Sequence, residues 1–141
     1  MSGAARTLRR GEVEVGQELP ALDVPITPTA IVSGAIASRD YQPVHHDRDL
    51  AVAQGSRDIF MNILTTNGYV GRFVSDWAGP EAFIRCVDIR LGVPNYPGDT
   101  MRLRGRVSAV EEDVVTVDVR GANAMGDHVT GTVELSLPEG A

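Results

Sequence analysis

Hydrophobic positions change their period once along this chain, and the change divides it into a helical half and a stranded half. Between residues 59 and 77, Phe60, Ile63, Leu64, Asn67, Gly71 and Val74 recur at helical spacing, which predicts the longest helix, ended by Gly79-Pro80. Upstream, Thr27-Pro28 reads as a helix start, with threonine as cap and proline at the first helical position. The helix it opens, over 28–38, is mostly small and apolar and so is expected to pack closely. Residues 19–26 alternate imperfectly between Pro20 and Pro25 and suit an edge strand. Residues 1–16 carry Arg6, Arg9 and Arg10 with little periodicity, so they are expected to form a flexible tail, with a short strand over 12–15. Residues 17–141 are then one domain.

After residue 80 the period becomes two. Phe83, Arg85, Val87, Ile89 and Leu91 share one face, as do Met101, Leu103, Gly105 and Val107, then Val115, Val117 and Val119, and finally Val129, Gly131, Val133, Leu135 and Leu137. These are half-buried antiparallel strands, turned at 111–113 and 123–127. A long helix beside a curled run of antiparallel strands buries its apolar stripe on the sheet, an α+β domain of the hot-dog kind. Gly68 and Gly71 each cost about 1 kcal/mol against alanine inside a helix, so something is expected to need their small size.

Composition narrows the class. A chain of 141 residues, 43% hydrophobic, suits one domain with one core. It shows no apolar run of membrane-spanning length and no secretory h-region, and is read as soluble and cytoplasmic. The single cysteine, Cys86, cannot form an internal disulfide and is expected to be a small packed side chain in a strand. A net charge of −6 argues against nucleic acid. All thirteen basic residues are arginine, and a local cluster could still hold a phosphorylated ligand such as coenzyme A. Arg102, Arg104 and Arg106 project from one strand face, either as a solvated face or as a contact for a partner or for the nucleotide end of coenzyme A. Tyr96 lies in a turn and could line a pocket.

The candidate chemistry sits in 38–51. Pro43 pushes Gln42 toward extended backbone and prevents an unbroken helix, so Asp40 and His45 fall on the two sides of a bend. A carboxylate and an imidazole across a bend can both touch one water, which is the arrangement for adding water or removing a proton. Asp47 is a good cap for a short helix closed by Gly55, and its positive end just after His45 would favour neutral imidazole. A loop histidine near aspartates also serves simply as a cap or turn residue, and spacing alone leaves both readings open. His45-His46-Asp47 matches no usual metal-ligand spacing, so no metal is expected.

The run Asp40-Tyr41-Gln42-Pro43-Val44-His45, with Ala51 six residues on, resembles the hydratase motif of the MaoC-like (R)-specific enoyl-CoA hydratases. Arg39 stands where that family has glycine and Gln42 where it has asparagine. The resemblance extends through Val44–Asp49, Ala51–Ser56, Asp58–Phe60, Asp76–Pro80 and Gly126–Val129 to the small MaoC-like subunit of the heteromeric steroid side-chain enoyl-CoA hydratases of cholesterol-degrading bacteria.

That resemblance implies the hot-dog fold and hydration of an enoyl-CoA, with Asp40 and His45 gripping one water. It implies an oxyanion donor at the start of the long helix, matched here near Met61 and Asn62, with Gln42 as a further substrate-binding candidate. It implies a substrate whose steroid carries a 17(20)-unsaturated side chain as its CoA thioester, and no cofactor, since coenzyme A belongs to the substrate. It also implies a larger MaoC-like partner carrying a DUF35-type segment able to contact a thiolase-like aldolase. Two alternatives stand beside it. A hot-dog thioesterase usually keeps its carboxylate on the long helix, where only Asp76 is found, and a non-catalytic subunit completing a partner's site would not need Asp40 and His45 together.

Overall fold

The computed structural model describes residues 5–140. Its elements run β1 (Leu22–Pro25), α1 (Pro28–Ala37), α2 (Arg48–Ala53), α3 (Ile63–Ala78), β2 (Phe83–Leu91), β3 (Thr100–Glu111), β4 (Val114–Asn123) and β5 (Gly126–Ser136), with 3₁₀ turns at Arg10–Glu12 and Pro43–His45. The strands form one antiparallel sheet in the order β1-β3-β4-β5-β2, and α3 packs on its apolar face. This is the hot-dog layout expected from the change of period. Val115, Val117 and Val119 of β4 and Val133 and Leu135 of β5 meet Val70, Phe73 and Val74 of α3 in one core. Gly105 on β3 lets the Phe73 ring come in, because a Cβ there would stand 2.7 Å from its Cε1.

Several details differ from the pattern, each for a physical reason. The long helix begins at Ile63 rather than Ile59, because the Asn62 side chain caps it by accepting from Thr65 N at 3.0 Å. The stripe that α3 buries is Thr66, Val70, Phe73, Val74 and Ala78. Ile63, Leu64 and Asn67, on the expected stripe, face outward, and among the described residues, apart from the helix's own neighbouring backbone, no atom lies within 4 Å of a Cβ built at Gly68 or Gly71. Nothing among the described residues therefore needs the small size of those two glycines.

In β2 the pairing shifts between Ile84 and Cys86. The extra residue in this bulge turns Ile84 to the side of Val87 and Ile89, and leaves Phe83 exposed. Cys86 is exposed, not packed.

No strand forms over 12–15. The described part of the expected tail instead lies along the domain: Leu8 N donates to Ala78 O, Arg10 N to Pro138 O, and Val13 is buried. Arg104 pairs with Asp23 at 2.8 Å across the solvent face of β1 and β3. No helix among the described residues is long and apolar enough to cross a membrane.

Candidate active site

The first half of the site is delivered by the end of α1. Asp40 N donates to Ala35 O at 2.9 Å and Arg39 N to Ile36 O at 3.0 Å, the two closing bonds of a Schellman turn. Arg39 sits in the left-handed region at φ 56°, which is the reason glycine suits this position and arginine is a strained choice. The turn points the Asp40 carboxylate at the N-terminus of α3.

The second half follows Pro43. Gln42 is extended, as a residue before proline must be, and Pro43–His45 make one 3₁₀ turn closed by His45 N to Gln42 O at 3.1 Å. The His45 ring is buried edge-on against Phe60, with centroids 5.0 Å apart. Its Nδ1 lies 2.7 Å from Phe60 O. A carbonyl only accepts, so Nδ1 carries the hydrogen and donates, which turns Nε2 toward Asp40 Oδ2, 3.3 Å away.

Asp40 is held further by Asn62, whose Nδ2 donates to Oδ2 at 3.0 Å and lies 2.9 Å from Ser38 Oγ. Gln42 N donates to Oδ1 at 3.3 Å. The Asn62 amide hydrogen bond, then the Gln42 N–H and the nearby His45, hold the Asp40 carboxyl below its ordinary value, against the opposing effect of burial. The sign follows. Asp40 stays ionised to lower pH than in an unfolded chain, so its contribution to stability is full above the unfolded value and is lost as pH falls through the lowered one. Carbon-13 NMR of the aspartate carboxyls, with Asp40 assigned by its loss in Asp40→Asn, is expected to give it a midpoint below the usual value of about 3.9.

The remaining site candidates separate. The Met61 amide is a poor oxyanion donor because it already donates to Asn95 O at 3.1 Å. The Asn62 amide has no such acceptor among the described residues. The Gln42 side chain is exposed, and only its backbone touches Asp40. Tyr96 is buried beneath Arg57, whose guanidinium lies 4.4 Å from the ring centroid. Asp76 is exposed and paired with Arg72 at the opposite end of α3 from Asn62. Among the described residues no three of His, Cys, Asp and Glu are grouped to hold a metal.

Sequence reasoning missed the supports behind these residues. His128 Nδ1 donates to Val93 O at 2.7 Å, so its Nε2 accepts from Thr66 Oγ1 at 2.8 Å, pinning the first turn of α3. Burial lowers the His128 pKa, although the Val93 carbonyl works against it, and this keeps the acceptor form in place. Buried Asn95 accepts from Asn123 Nδ2 at 3.0 Å while its carbonyl holds Met61. His128 and Thr66 are 62 residues apart, and no spacing in the chain could have joined them.

Comparison with known proteins identifies the family. The family model described as "MaoC like domain" matches residues 12–127. The chain is 58% identical over 123 residues, 87% of its length and 95% of the relative's, to a Mycobacterium tuberculosis protein called 3-oxo-4,17-pregnadiene-20-carboxyl-CoA hydratase beta subunit. A crystal structure of the ChsH1-ChsH2 complex from the same organism matches with a TM-score of 0.87 and 58% identity, over 88% of this chain and 98% of that one. The R-hydratase PhaJ1 of Pseudomonas aeruginosa, 22% identical, matches with a TM-score of 0.86 over 95% of this chain and 88% of that one, a likeness of fold alone.

Proposed function

This chain belongs to the MaoC-like domain family, and from that premise we propose that it is the Asp/His-bearing subunit of a heteromeric hydratase acting on a steroid enoyl-CoA with a 17(20)-unsaturated side chain. The observation that carries the reading is the pair itself. Asp40 Oδ2 and His45 Nε2 stand 3.3 Å apart, with the other ring nitrogen fixed by a backbone carbonyl. In the form with a hydrogen on Nδ1 alone, His45 joins the Asp40 carboxylate in offering two acceptors to the two hydrogens of one water. That leaves the water oxygen free to attack.

In the reaction the water oxygen bonds to the β-carbon as His45 takes a proton from the breaking O–H bond, and the π pair moves toward the thioester as an enolate. Asp40 steadies the water and the imidazolium that forms; as the enolate collapses, the imidazolium gives that proton to the α-carbon, which returns His45 to its neutral form. The enolate oxygen needs a donor, worth roughly 3–4 kcal/mol in comparable sites. The Asn62 amide at the positive end of α3 is assigned that task, in place of Met61. The direct test is hydration of a steroid enoyl-CoA by the co-purified complex.

A larger MaoC-like partner, with a DUF35-type segment facing an aldolase, belongs to the same proposal, as does a cytoplasmic setting. Two features support a partner. The outer edge of β2 is unpaired within the described residues, with Phe83 exposed beside it. Exposed Leu64 and Gly68 and half-buried Tyr69 line a groove of about 530 Å³ with Ala30, Gly34 and Ser38 of the α1 segment. A partner seated there would account for Gly68 and for exposed Leu64. Leu64→Glu is expected to leave the thermal midpoint of the isolated chain nearly unchanged while abolishing co-purification with the partner. Unchanged co-purification would move the interface elsewhere.

A further inference from the structure

We infer that Asn62 is a positioning residue for the hydration proposed above, its side chain fixing Asp40 and the start of α3 as one unit. The inference rests on that reading and adds a role for the side chain to the one given to the backbone amide.

Three observations meet in this residue. Asn62 is only 2% exposed, so its side chain is committed to internal partners. On one side its Nδ2 serves the end of α1 and the turn after it, through Ser38 Oγ at 2.9 Å and Asp40 Oδ2 at 3.0 Å. On the other its Oδ1 accepts from Thr65 N at 3.0 Å and so caps α3. The main chain of Asn62 is the place from which an oxyanion donor would act. A single planar amide therefore sets the distance between the group that holds water and the group that meets the enolate.

The orientation it imposes is specific. Asp40 Oδ2 faces both Asn62 Nδ2 and His45 Nε2, while Oδ1 is taken by Gln42 N. Without the Asn62 donor, only the long Gln42 N–H contact on Oδ1, at 3.3 Å, would restrain the carboxylate from rotating its lone pairs away from His45. The preceding residue, Arg39, adopts a left-handed conformation to bring Asp40 here, so the turn alone is a strained support. A carboxylate swung by about 1 Å can cost a hundredfold in rate.

Two substitutions isolate this role from simple folding. Asn62→Ser keeps a good helix cap but is too short to reach Asp40. Asn62→Asp keeps both size and cap, removes the N–H donor and sets a second carboxylate beside Asp40. Both are to be made in the assembled complex with the MaoC-like partner, with thermal midpoint, kcat and KM for the steroid enoyl-CoA, and the Asp40 carboxyl titration read by carbon-13 NMR. The expected result is a kcat lower by about tenfold or more for Asn62→Ser with KM changed far less, and a larger loss for Asn62→Asp. Asp40 should titrate at higher pH in both, most in Asn62→Asp, where two carboxylates would share the site. Wild-type rates, or slower rates with an unmoved Asp40 titration, overturn the inference, the second outcome leaving Asn62 a cap only. Full hydration by Asp40→Asn in the same complex would instead remove the hydratase reading itself, a result separate from either.

Discussion

His45→Ala and Asp40→Asn, each assembled with the partner subunit, are expected to lose a hundredfold or more in hydration of a steroid enoyl-CoA while the complex stays intact. The magnitude is that of removing a placed general base, about 10²–10⁴. The two should not be additive, because both groups act on one water: the double variant is expected to be little worse than the poorer single one. His45→Ala also removes the bond to Phe60 O and leaves a space beside the ring, so a loss of stability accompanies it. Asp40→Asn keeps the shape and is the cleaner test of charge. Steady-state rates together with size-exclusion profiles decide the matter. Normal hydration by both assembled variants would assign the chemistry to the partner and make this chain the non-catalytic subunit; the same complex offered a saturated acyl-CoA tests the thioesterase alternative.

The second large effect is expected at a residue that touches no substrate. A Cβ built at Gly34 clashes with Thr65 Oγ1 and would lie 2.8 Å from its Cγ2 and 3.1 Å from its Cβ. Rotating Thr65 cannot clear a contact to Cβ, so Gly34→Ala must push α1 away from the first turn of α3. Overpacking of this kind costs about 1–3 kcal/mol. Ser38 and Asp40 ride on the end of α1 and Asn62 begins α3, so the same displacement pulls Asp40 away from Asn62 Nδ2. Gly34→Ala is therefore expected to lower both the thermal midpoint and the hydration rate of the folded complex, and Thr65→Ala in the same chain to restore part of both. Such a rescue reveals coupling between contacting residues, which distant sites do not show. Gly68→Ala is the control: its Cβ meets nothing within 4 Å, so the isolated chain should gain helix stability.

Legibility in the sequence followed the range of the interactions. The bend at Pro43, the Thr27 and Asp47 caps and the alternation of β3, β4 and β5 rest on neighbours within a few residues, and each stands where local chemistry puts it. The face of α3 was harder. Phe60, Ile63, Leu64 and Val74 make a plausible stripe, yet the buried one contains Thr66, a polar residue acceptable inside only because His128 accepts its hydroxyl hydrogen. A stripe defined by hydrophobicity alone passes over such a residue, and it favours outward-facing Ile63 and Leu64. The bulge before Cys86 likewise inverts a face without any glycine or proline to announce it.

By itself the sequence determined the order and type of the elements from residue 19 onward, the α+β hot-dog layout and the candidacy of Asp40 and His45, because periodicity, caps and a proline-centred motif are local properties that the chain carries wherever it goes. Only the tertiary structure decided that His45 turns Nε2 to Asp40, that Met61 spends its amide on Asn95, and that Asn62 joins the carboxylate to α3. Those facts depend on hydrogen bonds between segments distant in sequence, up to 34 residues apart for Met61 and Asn95. Such bonds have direction and short reach, so they exist only once the folded backbone has set both ends in place.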